Sequence, residues 1–272
     1  MADLKNIGWR LGRKISLLFR KNMDSRDFFK LFLLCICLFL AVNEAVYAKA
    51  KTVRILILSG DNNHDWKTTT PFIQSIFAGN SQFAADVTER PDTLNAQMLK
   101  AYHVIVSNWN AFPNQTGLWT DEAKQAVVDF MKKGGGFVCI HAASATHQDW
   151  REYLQITGGR WGEKTHHGAM HSFNVHICNP NHPVVKGMQD FDIRDELWVD
   201  MECDPNAEVI CTAKAEEYKD LPDKTEPVAL VTRYGKGRGF YLVLGHDADV
   251  MKNENWQTLL LRGTAWAGRI RN

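Results

Sequence analysis

Four segments of this chain end a short apolar run on polar, ionisable side chains. Val53–Ser59 (VRILILS) opens into Asp61, Asn62, Asn63, His64 and Asp65. Val104–Ser107 leads to Asn108, Trp109 and Asn110, Phe137–Ile140 ends on His141, and Gly239–Leu244 runs into His246 and Asp247. Imidazole changes charge near neutral pH and is also a common ligand of divalent ions, so two chemistries fit these groups. In one, His141 acts as acid or base on a carbonyl or glycosidic substrate, with His64, His246 and Asp247 beside it. In the other, His64, His141, His246 and one of the pair His166/His167 hold a divalent ion, zinc or manganese, with a position left open for water. No HExxH or comparable local spacing marks the ligands. The turn after Phe137–His141 resembles a nucleophile elbow but presents a histidine, which argues against a serine or cysteine nucleophile.

A lone histidine at the end of an apolar run is equally a core residue bonded to a backbone carbonyl. What makes these residues a site is their company on one edge of the predicted sheet. The candidate substrate-binding residues are Asp61, Asn63, Trp66, Asn108, Trp109, Trp161, His166 and His167. Flat aromatic faces flanked by asparagine, aspartate and histidine suit a sugar ring, whose faces are apolar and whose edge is hydroxyls. Gly158–Trp161 and Thr165–Gly168 form a candidate lid or side wall.

The elements that must position these groups follow from periodicity. Apolar runs at Val53–Ser59, Val104–Ser107 and Phe137–His141 read as buried parallel strands, and Phe83–Thr88 as a second, shorter strand. Between them the sequence predicts helices over 70–78, with Pro71 in the first turn, over 94–100 and over 120–133. Thr120 caps the last of these and Gly134 ends it. Alternating strand and helix from Val53 to His141 predicts an α/β fold: a doubly wound, mostly parallel sheet with helices on both faces. Ligands of such sheets lie beyond the carboxyl ends of the strands.

Further on, 169–178 is extended with His171, Phe173, Val175 and Ile177 on one face, and 148–154 reads as helical. Residues 179–188 read as a turn with a short helical piece. Strands are expected at 197–201, 208–213, 228–234 and 239–244, with a closing helix over 255–267. Gly235–Gly239 is a hairpin turn, since it lacks the spacing of a phosphate loop and precedes a strand. Asp195 and Glu196 read as a turn before Leu197, because adjacent residues of an extended segment point to opposite faces and only one carboxylate can reach the site.

The 272 residues are 45% hydrophobic and 23% charged with a net charge of +1, a globular composition that gives no basis for a nucleic-acid partner. Residues 1–48 differ in kind. Scattered basic residues precede the apolar run Leu31–Val42, and Val46-Tyr-Ala48 has small residues where signal peptidase cuts. This predicts a secretory signal cleaved near Ala48, contact with the membrane only through that segment, and a periplasmic or otherwise exported protein of residues 51–272. Met23 would begin a signal of ordinary length. Cys139, Cys178, Cys203 and Cys211 remain in the mature chain and read as buried thiols, with pairing of Cys203 to Cys211 or Cys178 open.

The residues then match a known family. Gly60-Asp-Asn-Asn-His-Asp-Trp66, Gly134–His141, Gly158-Gly159, His166-His167, His182-Pro-Val-Val-Lys-Gly187, Asp195-Glu-Leu-Trp198, Pro227-Val-Ala, Tyr234-Gly-Lys-Gly-Arg238, Leu244-Gly-His-Asp247 and Arg262-Gly-Thr-Ala-Trp266 fall in order over nearly all of 53–268. Together they resemble the ThuA-like, or trehalose-utilisation, family. The resemblance implies a flavodoxin-like, class I glutamine amidotransferase-like fold in which His141 takes the place of the amidotransferase cysteine, so glutaminase activity is not expected. It also implies a role in catabolism of disaccharides or their 3-keto derivatives, with the keto sugar made by a partner oxidoreductase. A non-catalytic sugar-binding protein, or an assembly module for that oxidoreductase, is the alternative.

Overall fold

A computed structural model describes residues 52–113, 118–221 and 224–269. The expectations for residues 1–48 lie outside these. The described residues belong to a compact unit, Lys51–Asn272, and the fold below is that unit's.

The chain runs β1 (Val53–Leu58), α1 (Trp66–Ala78), β2 (Phe83–Thr88), α2 (Ala96–Leu99), β3 (Val104–Ser107), α3 (Asp121–Lys133) and β4 (Gly136–Ile140). A short 3-10 turn, His141–Ser144, leads to α4 (Arg151–Thr157), β5 (Gly159–Arg160), β6 (His166–His167), β7 (His171–Ile177) and β8 (Phe191–Asp195). Then come β9 (Trp198–Val199), β10 (Glu202–Cys203), β11 (Glu208–Ala213), β12 (Glu226–Tyr234), β13 (Gly237–Leu242), α5 (Ala248–Met251) and α6 (Glu254–Ala267).

Nine strands form one sheet in the order β2-β1-β3-β4-β13-β12-β11-β7-β8. From β2 to β13 every pairing is parallel, and beyond β13 every pairing is antiparallel. Inside the edge strand β2, which is largely exposed, the parallel half is buried on both sides because its residues alternate between two cores. Ile55, Ile57, Val138 and Ile140 face one, while Leu56, Leu58, Phe137 and Cys139 face the other. That is why these strands read as unbroken apolar runs.

The helix before β4 forms as its sequence dictates. Thr120 accepts from the Ala123 N–H at one end, acidic residues fill the first turn and lysines the last, and Gly134 stops it with φ +110°. The chain is thereby turned directly into β4. The helix before β2 begins earlier than the predicted Thr70, because Asp65 is its cap, taking the backbone and hydroxyl of Thr68. Pro71 therefore lies inside the helix and not in its first turn.

The sequence reading passed over β8, whose buried Phe191, Ile193 and Asp195 alternate with exposed Asp192 and Arg194. Its polar half disguised the alternation. Yet Asp195 Oδ2 accepts the Gly245 N–H at 2.7 Å, just past β13. In a flat sheet β8 would lie four strands, about 19 Å, from β13. The antiparallel half must therefore curl back over the carboxyl end of the parallel half.

Candidate functional site

His141 follows the last residue of β4 and has φ +43°, a left-handed conformation that bends the strand sharply into the 3-10 turn. Its ring is 3% exposed. Its Nδ1 sits 2.7 Å from the Val243 carbonyl oxygen, which only accepts, so Nδ1 carries a proton, and in the neutral ring Nε2 turns a lone pair the other way.

His64 comes from the loop after β1 and is fixed as tightly. Asn62 donates its Nδ2 to the Asn108 carbonyl at 2.9 Å, which orients the amide. Its Oδ1 then accepts from the His64 backbone at 2.9 Å, from Asn110 Nδ2 at 2.8 Å and from His64 Nδ1 at 3.1 Å. His64 Nε2 is thereby also left as a bare lone pair.

His246 follows β13, and its loop is held by Asp195, whose carboxylate takes the N–H groups of Gly245, His246 and Glu196. Burial pushes the Asp195 carboxyl up, against those donors. The next residue, Glu196, turns the opposite way and enters the site.

The three rings and this carboxylate form one cluster. The His64 ring centroid is 4.8 Å from that of His141 and 4.6 Å from that of His246, each edge-on. Glu196 Oε2 is 3.6 Å from His141 Nε2 and 3.1 Å from His246 Nδ1. One donor atom from each of His64, His141, Glu196 and His246 lies within 4.8 Å of all the others. Burial, and then the neighbouring His141 and His246, lower the His64 pKa to about 3. Burial alone would raise Glu196, but the His141 and His246 imidazoles outweigh it and hold the carboxyl well below the usual range. The Glu196 contact raises His246 in turn, against its burial.

A wall stands beside the cluster. His167 Nδ1 is 3.4 Å from Glu196 Oε1, and its ring packs edge-on against Trp161 at 5.7 Å. Trp161 also meets Trp198 at 4.8 Å and Phe112 at 6.1 Å, and Trp198 in turn packs on His141 at 5.0 Å. The segment expected as a lid or side wall is pinned as a wall: β5 pairs with β10, β6 pairs with β9, and Arg160 grips Glu202 with two bonds of 2.8 and 2.9 Å.

Several expected site residues go elsewhere. Asp247 caps α5, accepting the Val250 N–H at 2.8 Å. Asn108 is 4% exposed and ties β3 to α1 through Thr69 and Thr70. Trp109 is 3% exposed and stacks on His147 and Trp119 in the opposite core, so it offers no face to a ligand. His166 points away from His167, as neighbours on a strand must, and bonds Glu217 at 2.9 Å. Asp61 and Asn63 are exposed on the same loop as His64, Asn63 accepting from Asn110 at 3.0 Å. Trp66 begins α1 with Lys67 over its ring. The sequence reading left Glu196 out of the site. The signal was its adjacency to Asp195, and the deciding fact, the curl of the antiparallel half, is not local.

The family model described as ThuA: Trehalose utilisation matches residues 54–267, which include every member of the cluster. The chain belongs to the ThuA family. It is similar to the structure of a ThuA-like protein from Parabacteroides merdae, at 24% identity and TM-score 0.71, over 80% of this chain and 90% of that one. A second, from Bacteroides uniformis, matches at 22% identity and TM-score 0.63, over 81% and 93%. A cold-adapted β-galactosidase from Rahnella shares the fold at 13% identity and TM-score 0.55, this ThuA chain covering 32% of it. No curated protein matches the chain. The ThuA fold is thus an α/β fold with a mostly parallel central sheet in its amino-terminal half, as the periodicity predicted.

Proposed function

We propose that this ThuA protein is an exported enzyme of carbohydrate catabolism that acts on a disaccharide or its 3-keto derivative at the His64–His141–Glu196–His246 cluster. The observation that carries the reading is the convergence of three imidazoles and a carboxylate from four separate segments beside an aromatic wall. A ring laid on Trp161 would present its hydroxyl edge to His167 and Glu196. The cluster acts directly by proton transfer or through an ion that it holds. Hydrolysis, elimination and isomerisation each need such groups at one carbon and no redox cofactor in this chain; a partner oxidoreductase supplies the keto sugar.

The test is incubation of the purified protein with trehalose, 3-keto-trehalose and related 3-keto-glycosides, with products followed by mass spectrometry. Turnover is expected, with His141→Gln slower by on the order of 100-fold or more and Trp161→Ala raising KM with less effect on kcat. Saturable binding of these sugars without conversion would make the chain a sugar-binding protein and remove the enzyme reading. Cell fractionation with amino-terminal sequencing checks export, the mature chain being expected to start just after Ala48.

A further inference from the structure

We propose that His64 Nε2, His141 Nε2, His246 Nδ1 and a Glu196 carboxylate oxygen are the four protein ligands of a single divalent transition-metal ion. The proposal concerns the same site as the function above but does not depend on which substrate is turned over there.

The argument begins with where the protons are. The Val243 carbonyl takes the His141 Nδ1 proton, and the oriented amide of Asn62 takes that of His64. In its neutral form each ring therefore turns an unprotonated nitrogen inward. Glu196 brings negative charge and no donor. Lone pairs and a carboxylate within 4.8 Å of each other repel unless something positive lies among them. The pairing of Glu196 with His246 at 3.1 Å offsets part of this, but among the described residues His141 Nε2 and His246 Nδ1 are both buried with no hydrogen-bond partner. Buried polar atoms are nearly always satisfied, so these orphans point to a missing partner that accepts lone pairs from several sides.

The outer contacts are those a metal centre needs. A ligating histidine commonly gives its second N–H to a carbonyl or carboxylate, which fixes ring and tautomer. Val243 does this for His141 and Asn62 for His64, while Asp195 anchors the His246 backbone and His167 flanks Glu196 Oε1. The set of three nitrogens and one oxygen suits borderline ions such as zinc, or manganese, better than calcium or magnesium, which prefer oxygen, or copper(I), which prefers sulfur. One carboxylate against the ion's two positive charges leaves the centre a net cation, able to polarise a substrate oxygen.

Metal content of the purified full-length chain, measured by elemental mass spectrometry, is expected to approach one ion per chain. After chelation and dialysis, titration calorimetry with zinc or manganese should show one saturable site. Cobalt(II) loaded into the same protein should give the strong visible absorption of a low-coordinate site. Glu196→Gln keeps the shape and removes the charge, and should weaken binding at least 100-fold. Asn62→Ala, which touches no ion, should weaken it 10- to 100-fold by freeing the His64 ring. His176→Gln, on the far surface, should change nothing. No uptake of zinc, manganese or cobalt by folded wild-type protein overturns the proposal, as does unchanged affinity in folded Glu196→Gln. Stoichiometric metal without turnover of any sugar keeps this centre and removes the carbohydrate reading. Turnover by metal-free protein does the reverse.

Discussion

His141 owes its place to its backbone as much as to its ring. A left-handed residue with a Cβ costs on the order of 1 kcal/mol, and the fold holds it because the turn after β4 admits nothing straighter. His147, six residues on, shares the feature with φ +57° but points into the opposite core, boxed by Trp109, Trp119, Trp150 and Tyr153. Burial, with the charge of Lys124 adding to it, lowers its pKa from 6.5 to about 3. It is neutral in the fold and protonated in the unfolded chain below about 6.5, so the unfolded state binds more protons as pH falls. Its contribution to stability is then lost progressively from about pH 6.5 down to about 3, and amounts to about 2–3 kcal/mol by pH 4.5. His147→Phe should fit the aromatic box and flatten that slope; urea midpoints of both proteins at pH 7 and 4.5 measure it, and equal acid sensitivity would reject the account. At this scale the sequence showed His64, His141 and His246 because each follows the carboxyl end of a buried strand. It did not distinguish them from Asn108, Trp109 or Asp247, whose side chains serve core, packing and cap, since type and position along the chain do not say which way a loop residue points.

Among the elements, α6 shows how packing overrides local preference. Gly263 lies in the middle of this helix, where alanine is ordinarily worth about 1 kcal/mol more. A Cβ there would come 2.1 Å from the ring of Phe240, which is itself fully buried in β13. Gly263→Ala should therefore destabilise, by about 1–3 kcal/mol, where propensity alone gives the opposite sign. A rise in thermal midpoint would show that the helix has room to shift. The inner strands β1, β3 and β4 were legible nearly to the residue because they are buried and almost wholly apolar. The short ladders β5–β10 and β6–β9, which brace the aromatic wall, were not, since pairs of residues carry no period to read.

For the molecule as a whole, the decisive event is the return of the antiparallel half over the parallel one. Asp195 is the clasp, and Asp195→Ala would strand the buried N–H of Gly245 and loosen that of His246. We expect a loss of about 2–4 kcal/mol in urea unfolding together with weaker metal uptake. A variant with normal uptake would show that the clasp does not position the cluster. The fold class was legible because alternating strand and helix has few solutions. The curl was not, because it depends on contacts across the full length of the chain.

That closure also sets an order in time. A polypeptide emerging amino-terminus first displays His64 and His141 while Glu196 is still to be synthesised and His246 comes later still. Any fragment stopping before His246 owns an incomplete donor set, however well its early strands have paired. The four-residue cluster is therefore a product of finished folding, and its donor set closes only once the chain has passed its last strand.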